Sequence, residues 1–169
     1  NDHYFISNAI RKAAEDSKVR TVLTRVLMDS DGENGFKQRV KEFENLYETR
    51  NKENELITYT VSPHSMYTCS EAALEKSEEL SKKYNLPVHI HFLDEIEDIK
   101  NKHGMTAIEV LKKYFSNIHT ILAHGVKINN DDLNILKDMD IAIVHNPVSN
   151  MRLGCKIADI TKYLKNNIN

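Results

Sequence analysis

A chain of 169 residues, 40% apolar and 28% charged, is long enough for one packed core and short for two. Its formal net charge of −2 gives no basic footprint for nucleic acid and no cationic face for an anionic membrane. No apolar run approaches the roughly 20 residues that span a bilayer, and the opening Asn1-Asp2-His3-Tyr4-Phe5 has neither the basic nor the apolar region of a secretory leader.

A first strand is expected over residues 19–27, a β-branched apolar run of the kind buried on both faces. Residues 29–35, Asp-Ser-Asp-Gly-Glu-Asn-Gly, look like a calcium loop, but the glycine sits in the wrong register and no bidentate Glu follows where one is needed. A turn-rich connection is expected there. A helix with a strongly charged outer face follows around residues 36–47, then a second strand over 56–61. Thr68-Cys-Ser-Glu71 fits a capping box that opens the next helix.

Strands are expected again over residues 87–92, 119–123 and 140–145. Between them, Thr106-Ala-Ile-Glu109 fits a second capping box, and Asn130-Asp131-Asp132 offers an N-cap with acidic first-turn residues that suit the helix dipole. Ile108, Leu111 and Phe115 recur at helical spacing, as do Ile157, Ile160 and Leu164, and both stripes should face a sheet. Cys69 and Cys155 stand far apart and outside any CxxC or CxxH spacing. That argues against a disulfide framework or a Cys-rich zinc knuckle, and for two small buried residues in a reducing, cytoplasmic compartment.

Alternating strands and helices at this spacing imply right-handed parallel units, hence an α/β protein. Two architectures fit: an open doubly wound sheet of five strands, or part of an eight-fold barrel, which normally takes about 250 residues. Periodicity does not separate them, whereas the histidines do.

Four of the eight histidines fall at or just past the carboxyl end of an expected strand: His64, His91, His124 and His145. In parallel α/β folds that rim collects binding and catalytic groups. A single strand-end histidine is ordinarily structural, but four on consecutive strands would each need a buried partner, and convergent imidazoles point to a divalent metal, zinc or iron. His89 shares a strand face with His91. It reads as a hydrogen-bonded residue one layer deeper, with a His-Ile-His metal pair as the alternative.

Four segments carry a family resemblance in one order and at consistent spacing. They are Ser62-Pro63-His64-Ser65-Met66-Tyr67-Thr68-Cys69-Ser70, Val88-His89-Ile90-His91-Phe92-Leu93-Asp94, Leu122-Ala123-His124-Gly125 and His145-Asn146-Pro147-Val148-Ser149-Asn150. Together they resemble the metal-dependent amidohydrolase superfamily, in the branch that holds the methylthioadenosine/S-adenosylhomocysteine deaminases, guanine deaminases and triazine chlorohydrolases. The resemblance runs from about residue 10 to residue 169. It implies a partial (β/α)8 TIM barrel, about strands 3 to 7 with their helices, with residues 1–169 forming a central fragment of the catalytic barrel.

The resemblance also implies roles. His91 is similar to the metal-binding histidine of barrel strand five. His124, on strand six, resembles the catalytic residue that hydrogen-bonds the attacking water and the developing tetrahedral centre. His64, after strand four, resembles a substrate-contacting residue, and His145 a substrate-binding residue on the pocket wall. Asn146, Ser149 and Asn150 belong to that rim, the two asparagines fixing loops. The implied chemistry is hydrolytic deamination, or dechlorination, of a purine-like or other nitrogen heterocycle, with one divalent metal, zinc first and iron second. The implied partner is a small-molecule heterocyclic substrate, with no nucleic acid and no membrane.

Two departures qualify the expectation. The family usually carries Glu three residues after the strand-five histidine, as proton shuttle and substrate contact. Here that position is Asp94, followed by Glu95, so either carboxylate serves or both merely open an acidic helix. The paired histidines of strand one and the aspartate of strand eight have no counterpart in the sequence, so the fragment alone should bind metal weakly and turn over no substrate. Open strand edges also predict a homo-oligomer, or an excerpt of a longer chain. Two other readings are a degenerate barrel with structural histidines and a free-standing doubly wound binding domain. The latter lacks any GxGxxG or GxxxxGK[ST] phosphate loop.

Overall fold

The computed structural model describes residues 7–92 and 96–169. In chain order its elements are α1 (Ser7–Ser17), β1 (Thr21–Leu23), β2 (Val26–Leu27), α2 (Glu33–Glu48), β3 (Ile57–Tyr59), β4 (Ser62–Pro63) and α3 (Glu71–Tyr84). They continue with β5 (Val88–Phe92), α4 (Ile96–His103), α5 (Ala107–Phe115), β6 (Thr120–His124), α6 (Asn130–Leu136), β7 (Ile141–Val144), α7 (Pro147–Arg152) and α8 (Ile160–Lys165).

Every strand pairing is parallel. β1 pairs with β3, β2 with β4, and β5, β6 and β7 form a three-stranded sheet. The groups are stitched together where Val61 N–H donates to Pro87 O (3.0 Å), His89 N–H to Val61 O (2.9 Å) and His91 N–H to His64 O (3.1 Å). The spatial order therefore follows the chain order from β1/β2 through β3/β4 to β7. A doubly wound sheet reverses its order at a switch point, and this one never does, so the doubly wound alternative falls away.

The expected strands at residues 19–27 and 56–61 are each interrupted, and the second is extended. Thr24 and Arg25 separate β1 from β2, and the Arg25 guanidinium Nε turns out to Glu42 Oε2 of α2 at 2.5 Å. Thr60 and Val61 separate β3 from β4, where Thr60 Oγ1 and Ser62 Oγ hydrogen-bond at 3.1 Å. The backbone stays paired across the second gap, with Thr60 N–H donating to Leu23 O at 3.1 Å and Val61 bridging in parallel to Val88.

One pleat face of the sheet meets the helices. Val88, Ile90, Phe92 and Leu122 are fully buried there among Leu74, Leu80, Leu111 and Phe115. Burying such side chains stabilises the fold by about 1.5–3 kcal/mol each. The Ile108, Leu111, Phe115 stripe of α5 lies in this core as expected, and Thr106 with Glu109 forms the expected capping box.

Other local expectations need correcting. α3 is capped by Ser70, whose hydroxyl accepts from Ala73 N–H, not by a Thr68–Glu71 box, because the Thr68 hydroxyl is engaged with His64 and Ser65. α6 is capped one residue earlier than read: Asn129 accepts from Asp131 and Asp132 N–H while Asp132 reaches back to Asn129 N–H. Ile157, Ile160 and Leu164 do not face the sheet; they are 61%, 37% and 63% exposed. Ile157 precedes α8 in irregular backbone, so the spacing never runs through one helix. α8 docks instead through Tyr163, whose hydroxyl donates to Gly125 O at 2.5 Å.

The stretch at residues 29–35 is a tight turn, Gly32 N–H to Asp29 O at 3.0 Å, running straight into α2. Asp31 is clamped bidentately by Arg39, which holds the carboxyl below the usual carboxylate range. Both cysteines are free; Cys69 is buried, whereas Cys155 is only partly covered. No helix among the described residues is long and apolar enough to cross a membrane.

Candidate active site

The histidines collect where the strands end. His64 follows β4, and its N–H donates to Leu27 O at 2.8 Å, which carries the strand ladder one residue past the named element. Its ring is fixed by a local hydroxyl network: Nδ1 hydrogen-bonds Thr68 Oγ1 at 2.9 Å, and Ser65 Oγ and Thr68 Oγ1 bond each other at 2.7 Å. Thr68 and Ser65 were not singled out as site residues from the sequence. Their signal was the hydroxyls one and four residues after His64, spaced to meet again across one turn.

His91 lies in β5 on the pleat face away from the helices. His89 is on the same face two residues nearer the amino end, buried, with its imidazole pushed down to about 4 by that burial. His124 closes β6 and is 7% exposed. The rings of His64, His91 and His124 form a row, with centroids 4.8 Å apart for the first pair and 5.1 Å for the second, each pair edge to face. Burial, reinforced by the neighbouring His64 and His124 imidazoles, pushes His91 down to about 3. A group so shifted is neutral near pH 7, which is the form in which imidazole binds a metal.

A buried partner fixes the last ring of the row. Asn150 of α7 is 1% exposed, and its Oδ1 lies 2.6 Å from His124 Nδ1. The role expected for Asn150, fixing a loop, becomes more specific: it ties α7 to the end of β6.

His145 lies just past β7, half-buried, with Nδ1 inaccessible and without a hydrogen-bond partner. No ring contact among the described residues joins it to the row. It lines a cleft of about 700 Å³ with Asn146, Val148, Ser149, Arg152 and Leu153. A second cleft of about 610 Å³ lies at the opposite, amino end of the strands, between Thr58, Pro87 and His119. His119 there is paired with Asp140 (Nδ1 to Oδ1, 2.7 Å), which accounts for it structurally. Asp94 and Glu95 lie outside the described residues.

Among the described residues no group of three or more His, Cys, Asp or Glu side chains converges to hold a metal ion. The donor chemistry nevertheless fits one ligand of such a site: a neutral imidazole, His91, at a strand end beside two others.

The profile described as "Amidohydrolase family" matches residues 1–169. A 5'-deoxyadenosine deaminase of Methanococcus aeolicus is 38% identical over 177 residues, covering 99% of this chain and 41% of that protein. The protein of the same name from Methanocaldococcus jannaschii is 36% identical over 175 residues, covering 100% and 42%. The chain thus spans about two-fifths of the length of the curated relatives it matches. Among solved structures, a guanine deaminase from C. acetobutylicum with bound guanine superposes with a TM-score of 0.86 at 26% identity, covering 96% of this chain and 42% of that one. An atrazine chlorohydrolase from Arthrobacter aurescens, complexed with zinc and atraton, superposes at 0.85 with 20% identity, covering 95% and 39%, a likeness of fold.

Proposed function

Because the chain belongs to the amidohydrolase family, we propose that it forms strands three to seven of a (β/α)8 catalytic barrel in a metal-dependent hydrolytic deaminase. The substrate class is a 6-aminopurine nucleoside. The observation that carries this reading is the contact row of His64, His91 and His124 at the carboxyl ends of three successive parallel strands. The two relatives above, 38% and 36% identical, are named as deaminases of 5'-deoxyadenosine, which favours an amino over a chloro leaving group.

In this reading His91 is one ligand of a divalent metal, zinc before iron, and the other ligands come from strands outside this sequence. Such an ion supplies Lewis acidity that brings the pKa of a water to roughly 7. His124 hydrogen-bonds the attacking water, whose oxygen forms the new bond to the ring carbon. Asp94 carries a proton to the adjacent ring nitrogen, with Glu95 as its competitor. As the C–N bond breaks, the other water proton passes by way of His124 to the exocyclic nitrogen, which leaves as ammonia, and a 6-oxopurine remains. His64, its ring held by Thr68, contacts the substrate without rotating, and His145 contacts it from the cleft wall. The barrel edges left by these strands are paired by the rest of the chain or by a second copy.

The test is turnover by the full-length protein that contains this sequence, loaded with zinc. 5'-Deoxyadenosine, guanine and a chlorotriazine are offered in parallel, and ammonia or chloride release is measured. Ammonia from the adenine nucleoside, at a kcat/KM at least about a hundredfold above the other two, is the expected result; such a ratio is about 2.7 kcal/mol of discrimination. Chloride release as the fastest reaction would replace deaminase with dehalogenase, and no turnover of any of the three would sink the hydrolase reading.

A further inference from the structure

We propose that Asn150 is the positioning residue of His124, its side-chain carbonyl holding the imidazole as the Nδ1–H tautomer. The inference rests on the reading of His124 as the group that meets the attacking water.

An amide oxygen can only accept a hydrogen bond, so the 2.6 Å contact between Asn150 Oδ1 and His124 Nδ1 requires the proton on Nδ1. In a neutral imidazole that leaves Nε2 with its lone pair. His124 is then an acceptor towards water. It can take a water proton on Nε2 as the oxygen bonds to the ring carbon, and the resulting imidazolium can donate a hydrogen bond back to that oxygen. With the other tautomer, the same ring would offer a donor to the water and no base.

Three further features make Asn150 the anchor. His124 sits at φ +76°, outside the strand conformation, so the pleat of β6 does not set the direction of its side chain. Asn150 is itself held by two backbone bonds, its N–H donating to Asn146 O (2.9 Å) and its O accepting from Cys155 N–H (2.8 Å). Its Nδ2 is buried without a partner, so the residue serves through its carbonyl and not through its amide hydrogens. A carboxylate should therefore replace it, and an alkyl group of similar size should not.

The experiment is ¹⁵N spectroscopy of the full-length protein with labelled histidine, the His124 signals being those missing from His124→Asn. Wild type and Asn150→Asp should show protonated Nδ1; Asn150→Leu should lose that preference. Circular dichroism checks that each variant is folded. In parallel, Asn150→Leu should lower kcat by about tenfold or more with KM within about twofold, and Asn150→Asp should recover most of the loss. An Nε2–H tautomer in the wild type, or an unchanged Nδ1–H tautomer in Asn150→Leu, overturns the proposal. A tautomer that switches as expected in a protein that deaminates nothing would keep Asn150 in this role and remove only the functional reading beneath it.

Discussion

His91 and His124 touch although the sheet register sets them on opposite faces. In the β5–β6 ladder His91 is opposite Ala123, and His124 is opposite Phe92. Neighbours in register share a face, and Phe92 is fully buried in the layer between sheet and helices. A regular strand would therefore send the His124 ring into that apolar layer. Instead His124 adopts φ +76° and Gly125 φ +62°, and the left-handed pair breaks the pleat and brings the ring to 5.1 Å from His91. Histidine tolerates that region better than bulky or branched residues, though at some strain, and strain of this kind concentrates at functional sites.

This geometry makes the choice of substitution at His124 matter. Asparagine enters the left-handed region readily, whereas valine is strongly disfavoured there. His124→Asn should keep near-native stability and lose about a hundredfold or more in kcat, the usual worth of a positioned acid–base group. His124→Val should lose activity and also about 1–2 kcal/mol of stability relative to His124→Asn. Urea unfolding of the two variants checks the difference, and equal midpoints would mean that the turn carries no strain.

His91 and His64 should separate metal from substrate. Loss of groups that merely support a metal ligand costs about 10–100-fold in affinity, so loss of the ligand itself costs more. His91→Ala should hold less than about one-tenth of the wild-type metal after dialysis of the full-length protein, by elemental analysis. His64→Gln should retain its metal and raise KM. Equal metal content in the two variants would contradict the assignment of His91.

Gly125 shows how much of this turn is fixed by packing. A methyl group at Gly125 would stand 3.0 Å from Ile143 Cγ2 and 3.2 Å from Ile128 Cδ1, in a left-handed conformation. Gly125→Ala should therefore cost about 1–3 kcal/mol by denaturant unfolding, with crowding and backbone strain adding. A neutral result would show that β6 can end differently, and would weaken the argument from His124.

Which features were legible in the sequence follows from their range. The β-branched runs at residues 87–92, 119–123 and 140–145, the Thr106–Glu109 capping box and the apolar stripe of α5 are local patterns, and each gave its element directly. The four rim histidines could be named because strand ends are local too, but the row of three depends on the left-handed turn at His124, which parallel pairing does not supply, and His145 stays outside it. What escaped was set by single side chains acting at a distance. Asn150 reaches His124 across 26 residues, and Thr68 is diverted from capping by His64. The stripe at Ile157, Ile160 and Leu164 misled because spacing presumes a continuous helix, and the backbone there is helical only from Ile160. Asp159 caps that helix by accepting from Lys162 N–H at 3.1 Å, so the stripe that starts at Ile157 begins before the cap and outside the helix.

The two cysteines should differ sharply in reactivity. Burial pushes the Cys69 thiol from its ordinary 9.0 up to about 11, and its Sγ–H faces Leu27 O at 3.3 Å. Two units mean about a hundredfold less thiolate at pH 8, before access is counted. Native protein should thus be modified at Cys155, and Cys155→Ser should abolish that modification, with Cys69 reacting only in denaturant. The sign of the pH effect follows. The folded pKa lies above the unfolded one, so this site's contribution to stability is intact below about pH 9 and lost as pH rises towards 11. Rapid native modification of Cys69 would mean that the end of β2, against which it packs, opens readily.

In the proposed mechanism Asp94 and Glu95 compete for one role, and chemistry distinguishes them. A proton shuttle must reach the ring nitrogen, and Asp withdraws its carboxylate by about 1.5 Å relative to the Glu that the family usually carries, one carbon–carbon bond. Misplacement of about 1 Å can cost on the order of a hundredfold in rate. If Asp94 is the shuttle in a pocket adjusted to it, Asp94→Asn should lower kcat by about a hundredfold or more, Asp94→Glu should also slow the reaction, and Glu95→Gln should stay within about twofold. If the site is merely impaired by the shorter arm, Asp94→Glu should accelerate turnover. If Glu95 has taken over, Glu95→Gln should be the variant that fails while Asp94→Asn survives. Each pattern is distinct in kcat measured on the zinc-loaded full-length protein, and the ordering of the three variants, more than any one value, identifies the carboxylate that moves the proton.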